Sequence, residues 1–231
     1  MIQLVYNPHW FYGKDIIIDI VSIFVLFLIA FFSIKFYKLN KRNKNYLFLA
    51  LSFIFIGCSF IFKIITNFTI YYHVLETRRI GFMTFTYNAV NSSHILFFVG
   101  FLMYRLLMLF GLYMLYSIYL KQQKSNIFLI SYLIIISTYF SSSTYYLFHI
   151  TSLFFLVIIT YRYLKNYKKN RDSTTKLLAY SFGMITLSQV VFVFVAINTF
   201  LYVIAELIQL ASYISLLITF IMVLRHGKKK K

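Results

Sequence analysis

The sequence predicts an all-α polytopic membrane protein, a single domain over residues 1–231 with seven transmembrane helices, the N-terminus outside and the C-terminus cytoplasmic. Three observations predict it. The chain is 61% hydrophobic and only 12% charged, whereas a soluble domain sits nearer half apolar and a quarter charged. Its apolar residues fall in stretches near the roughly 20 that a helix needs to cross the hydrocarbon core. Its basic residues collect in every second connection between those stretches.

The first span is expected at about 16–36. Trp10, Phe11 and Tyr12 precede it as an interfacial aromatic belt. Residues 1–15 lack the basic start and short apolar core of a cleavable signal peptide, so none is expected. The second and third spans are expected at 46–66 and 95–120. The connection between them, 67–94, is expected to be external. It holds Asn67-Phe68-Thr69 and Asn91-Ser92-Ser93, both acceptor patterns for N-glycosylation. Its Ile70-Tyr71-Tyr72 and Phe82-Met83 are candidates to dock on the membrane surface or to cap the outer mouth of the bundle. The apolar stretch 127–164 is too long for one span. Ser141-Ser142-Ser143-Thr144 divides it into a short fourth span, 127–142, and a fifth, 145–164. Asn198-Thr199 divides the last stretch into spans at 177–197 and 200–224.

Orientation follows from charge. With the N-terminus outside, 18 of the 23 lysines and arginines fall in cytoplasmic segments and only Lys14, Arg78 and Arg79 in external ones. That asymmetry is the positive-inside pattern, and an even number of spans would break its alternation. It places the chain in the cell membrane as a multi-pass protein. The net charge of +18 is therefore read as a partner for anionic lipid headgroups at the cytoplasmic face. Nucleic acid is not expected as a partner, because no soluble domain exists to carry it.

Several chemistries find no support in the residues. A single cysteine, Cys58, excludes an intramolecular disulfide and any multi-cysteine metal site. The seventh span, 201–224, has no lysine for a retinal Schiff base. The five histidines form no His-x-x-x-His pair, so no zinc site is assigned. Neither paired acids nor a Ser–His couple on a recognisable motif suggests a protease. No catalytic residue, metal or cofactor is assigned. Glycines inside the spans are isolated and the one proline, Pro8, lies outside them. The helices are thus expected to be straight, which favours a static bundle or small-motion sensor over a transporter with broken helices.

Charges within spans carry the most information, since each costs several kcal/mol unless paired or hydrated. Asp19, Lys63, Arg105, His149 and Glu206 lie on the first, second, third, fifth and seventh spans. At 1.5 Å per residue, Asp19, Lys63 and His149 sit roughly 5 Å below the outer boundary, Glu206 roughly 9 Å and Arg105 roughly 15 Å. Arg105 is expected to reach Glu206. Asp19 and Lys63 are expected to pair across adjacent helices or to snorkel, and His149 to be hydrogen-bonded packing. Glu206, Gln209 and Tyr213 share a face of the seventh helix; Phe101, Arg105, Met108 and Leu112 share one on the third. Ser181, Ile185, Ser188 and Phe192 do so on the sixth. These faces are expected to converge on a polar cavity open to the outside. A pair that only ties helices together is the alternative.

The short basic loops, the sixth-helix stretch Ser181-Phe182 through Ser188-Gln189 and the seventh-helix run from Tyr202 to Lys231 carry a resemblance. In layout the chain resembles the seven-helix membrane sensor modules of prokaryotic signalling proteins, and most of all archaeal stand-alone seven-transmembrane proteins. The resemblance implies a receptor-like or sensory protein that binds a small molecule or lipid from the outer side. No kinase, cyclase or other output domain follows Lys231, so a sensor of this kind is expected to signal through a separate cytoplasmic partner. A small-solute transporter and a non-catalytic assembly subunit of a membrane complex remain the alternatives.

Overall fold

The computed structural model describes residues 8–39, 41, 43–71, 75–80, 83–88, 91–118, 124–141 and 144–228. A 3-10 turn, His9–Phe11, leads into α1 (Lys14–Leu39) and α2 (Asn45–Tyr71). A two-stranded antiparallel hairpin follows, β1 (Leu75–Ile80) and β2 (Met83–Asn88), paired in register from Leu75–Asn88 to Ile80–Met83. The remaining helices are α3 (Asn91–Ser117), α4 (Lys124–Phe140), α5 (Tyr145–Asn170), α6 (Ser173–Val193) and α7 (Phe200–Lys228).

Among the described residues, seven α-helices match the seven expected spans, and six of them are long and apolar enough to cross a bilayer. This is a polytopic helical membrane protein. In hydrocarbon each backbone donor must find its acceptor within the segment, which is why uninterrupted apolar sequence becomes uninterrupted helix. Hydroxyls on these helices close on their own backbone. Ser22 donates to the Ile18 carbonyl at 2.9 Å, Ser33 to that of Ile29 at 2.9 Å and Thr219 to that of Ser215 at 2.9 Å. A serine or threonine so occupied adds little polarity to the lipid phase.

Two features of the 67–94 connection differ from expectation. The hairpin was not expected, and α2 runs five residues past the expected boundary of 66, to Tyr71. Asn67 is therefore a helical residue. It is buried, and its amide donates to Asp15 Oδ2 at 2.8 Å. In the folded protein this amide is therefore enclosed rather than presented at the surface. The side chains of Asn91, Ile70, Tyr71, Tyr72 and Phe82 lie outside the described residues.

Neighbouring helices close a ring in the order α1, α2, α3, α5, α6, α7, with α7 returning to α1, and α4 packs outside it against α3 and α5. The continuous core runs through the ring, from Leu26 and Ile29 of α1 through Phe53, Met108, Leu112, Leu156 and Phe182 to Leu216 of α7. Outward faces are apolar as lipid requires: Phe24, Phe31, Phe154 and Leu187 are exposed. α2 and α3 approach most closely where side chains are smallest. A Cβ on Gly111 would lie 2.6 Å from Ile56 Cγ1 and 2.9 Å from the Ser52 carbonyl, and one on Gly100 would lie 2.7 Å from Thr66 Oγ1. Small residues at such crossings are the usual device of membrane helices.

α4 is the exception in length. Its 17 residues span about 25 Å, short of the roughly 30 Å hydrocarbon thickness. Just past its far end the buried Ser141 presents its carbonyl to the protein interior, where Arg105 meets it.

Candidate functional site

The first turns of α1 and the last turns of α2 run antiparallel and carry two rungs of a polar ladder. Asp15 and Asp19 lie one turn apart on α1, and both are fully buried. Lys63 and Asn67 are likewise one turn apart on α2. Asn67 meets Asp15, and Lys63 Nζ meets Asp19 Oδ1 at 2.8 Å. The i, i+4 spacing on both helices makes the two contacts a single register.

Lys63 does more than join α1 to α2. Its ammonium also reaches Glu206 Oε1 of α7 at 2.5 Å. One cation thus serves two carboxylates from different helices, over the rings of Phe60 and Tyr202 at 5.4 and 6.0 Å. Asp19 Oδ2 has no hydrogen-bond partner. With only five acidic residues in the whole chain, the gathering of Asp15, Asp19 and Glu206 here makes this the acidic centre of a strongly basic protein.

This corrects the expected Arg105–Glu206 pair. Among the described residues Glu206 bonds to Lys63, and Arg105 makes no ion pair. Arg105 turns instead to the end of α4, where Nη1 donates to the Ser141 carbonyl at 2.5 Å. Its guanidinium lies 3.7 Å over the Phe101 ring, one turn earlier on α3, with Phe148 at 5.3 Å and Tyr145 at 5.8 Å. The end of α4 carries the negative end of the helix dipole, so a cation there is favourably placed. Arg105 is 2% exposed, and its Nε has no hydrogen-bond partner in the protein.

His149 completes the group on α5. Its Nδ1 sits 2.9 Å from Gln189 Oε1 of α6, and its ring stacks on Phe192 with centroids 4.9 Å apart and planes 17° from parallel. The carbonyl oxygen of Gln189 accepts, so Nδ1 carries the proton and Nε2 keeps its lone pair. The expectation of a hydrogen-bonded packing histidine describes this contact well.

These side chains surround a cavity of about 60 Å³. Lys63, Thr66 and Asn67 of α2, Arg105 of α3, His149 of α5 and Glu206 of α7 supply its polar walls, and Phe101, Tyr104, Tyr145, Phe148, Phe192 and Tyr202 its rings. It lies at the end of the bundle where α1, α5 and α7 begin. No protein-family model, no curated protein and no solved structure matches this chain. The cavity's own chemistry is what remains to read.

Of the eight residues singled out in the sequence, Arg105, Glu206, Lys63 and His149 line the cavity, and Asp19 adjoins it through Lys63. The other three do not line it. Gln209 donates to the Tyr213 hydroxyl at 2.9 Å on its own helix, and Ser188 donates to the Ile185 carbonyl at 2.8 Å. Asp15, Asn67, Gln189, Tyr145 and Tyr202 were not singled out. The i, i+4 match of Asp15-Asp19 with Lys63-Asn67 was the available signal for two of them.

Proposed function

We propose that this is a receptor-like or sensory protein of the cell membrane that holds a small molecule or lipid in the cavity among α2, α3, α5, α6 and α7. The ligand enters from the outer side, and a separate cytoplasmic partner reads the occupancy. The observation that carries this reading is Arg105. A buried guanidinium whose Nε meets no acceptor of the protein, on the wall of a cavity, is short of one hydrogen bond, worth roughly 1–3 kcal/mol when a bound group supplies it. An acceptor on a ligand fills that gap. A residue that served only to tie α3 to α4 would gain nothing from leaving Nε bare.

Two further features support a sensor over a transporter. Phe60, Tyr104, Phe148 and Tyr213 form a chain of rings beside the polar cluster, with centroids 6.4 Å (Phe60–Tyr104), 5.5 Å (Tyr104–Phe148) and 5.8 Å (Phe60–Tyr213) apart. A solute crossing the bundle would have to part this layer. The helices around the cavity also run unbroken, which suits small rigid-body shifts better than alternating access. At the other end of the bundle, Lys165, Lys168, Lys169 and Arg171 are all exposed, a surface suited to anionic headgroups and to an acidic partner.

The test is retention of a bound mass. Purified in mild detergent, the protein should carry a ligand visible by native mass spectrometry. Arg105→Gln should lose it, while Ser181→Ala, which breaks a hydroxyl pair with Ser215 away from the cavity, should keep it. A wild-type protein with no bound mass, and with no thermal response to membrane or metabolite extracts, would sink the reading.

A further inference from the structure

We propose that the cavity's ligand is a small zwitterion, its oxyanion held by Arg105 and its ammonium group by Glu206. The assignment rests on the cavity being a binding site, as argued above, and adds the class of molecule.

The walls have opposite character. On α3, Arg105 is a buried cation with no carboxylate partner among the described residues and with a bare Nε. On the α1–α2–α7 side, Asp19 and Glu206 share the single ammonium of Lys63. Carboxylates thus outnumber the ammonium on that side, the more so with Asp15 one turn from Asp19 on α1. His149 adds an acceptor on α5, since Gln189 occupies the proton-bearing nitrogen.

A purely anionic ligand would satisfy Arg105 and add to the excess of acidic groups beside Lys63. A purely cationic one would relieve that excess and leave Nε bare. A zwitterion answers both walls and brings no net charge into a medium of low dielectric constant, where an unpaired ion is most costly. The rings of Tyr202 and Phe192 lie on the same walls as the acidic and histidine groups, and aromatic faces favour an ammonium ion. The cavity, about 60 Å³, limits the ligand to a compact zwitterionic group, with any acyl chain left outside. The chemistry therefore has two sources, a free amino acid or the phosphoethanolamine headgroup of a lipid.

The experiment uses the full chain and probes of defined charge. Glycine, β-alanine and O-phosphoethanolamine are titrated in detergent, and phosphatidylethanolamine is presented in nanodiscs. Acetate, inorganic phosphate and phosphatidylglycerol test an anion alone, and ethylamine a cation alone. At least one zwitterionic probe should raise the melting temperature, while acetate and ethylamine should not. Arg105→Gln and Glu206→Gln should each weaken that probe roughly tenfold or more, as loss of a charge-assisted hydrogen bond does. A soluble probe that binds identifies a free zwitterion; a response to phosphatidylethanolamine nanodiscs alone identifies the lipid headgroup. Should a variant fail to fold, the selectivity series on the unmodified protein decides by itself. An anion-only probe that binds as tightly as the zwitterions overturns this assignment and leaves the cavity a binding site. Zwitterion binding indifferent to both variants overturns the site. No response to any probe, together with no co-purified mass, removes both readings.

Discussion

Lys63 is the residue on which the inner polar group depends. It is 8% exposed and bonds two carboxylates that are themselves buried. Removing one member of a buried ionic group leaves its partners charged and unpaired, at a typical cost of about 3–5 kcal/mol. Lys63→Met should therefore lower the thermal unfolding temperature in detergent sharply. The triple variant Asp19→Asn, Lys63→Met, Glu206→Gln should recover most of the loss, because amides need no counter-ion. A single variant that melts with the wild type would mean the ladder is not ionic. The residue types of this group were legible in the sequence, since charges inside spans are few and costly. The pairing was less so. By helix rise alone Lys63 stands roughly 4 Å from the depth of Glu206 and Arg105 roughly 6 Å, so depth slightly favoured the contact that forms. What depth leaves open is which helices are neighbours and how each is rotated. The ring places α1 between α2 and α7, and that puts Lys63 within reach of both carboxylates while Arg105 faces α4.

At the scale of elements, the α2–α3 seam shows how packing hides from a hydropathy reading. Single scattered glycines suggest straight helices, and the helices are unbroken, but the same glycines mark a close crossing. Ser59 of α2 meets Met108 Sδ at 3.8 Å between the two glycine contacts. Gly111→Ala should cost roughly 1–3 kcal/mol, the usual range for overpacking, because its Cβ would meet a backbone carbonyl. Gly183→Ala on α6 is the control. Its Cβ would find only Thr160 Cγ2 at 3.8 Å, and alanine favours helix over glycine, so stability should hold or rise. Reversible unfolding in detergent separates the two, and equal effects would remove the steric account. α4 is legible for a different reason. Its shortness is a count of apolar residues, whereas its place outside the ring is not encoded in any local pattern. The hairpin between α2 and α3 was missed although β2, Met83-Thr84-Phe85-Thr86-Tyr87-Asn88, alternates apolar with polar residues as a strand does; its partner β1, with Glu76, Thr77, Arg78 and Arg79 in a row, does not.

Across the whole molecule, the polar cavity and the basic connections occupy opposite ends of one bundle, which makes orientation a functional question. α5 continues past its span to Asn170 with Lys165, Asn166, Lys168 and Lys169 exposed. Arg171 then adopts a left-handed conformation, φ 48°, and Asp172 caps α6 by accepting from the Thr175 amide at 3.1 Å. The α5–α6 turn is thus a defined, exposed structure that tolerates a reporter. In the orientation proposed from the positive-inside pattern it lies in the cytoplasm, and the cavity then faces outward. Asn166→Cys in a Cys58→Ser background supplies a single thiol at that turn. In intact cells a membrane-impermeant maleimide should leave it unlabelled, and permeabilisation should expose it fully. Labelling in intact cells would invert the protein, point the Arg105 cavity at the cytoplasm, and replace an external ligand with one drawn from the cell interior or its inner leaflet. The geometry of the cavity would survive that result, but outer-side sensing would not.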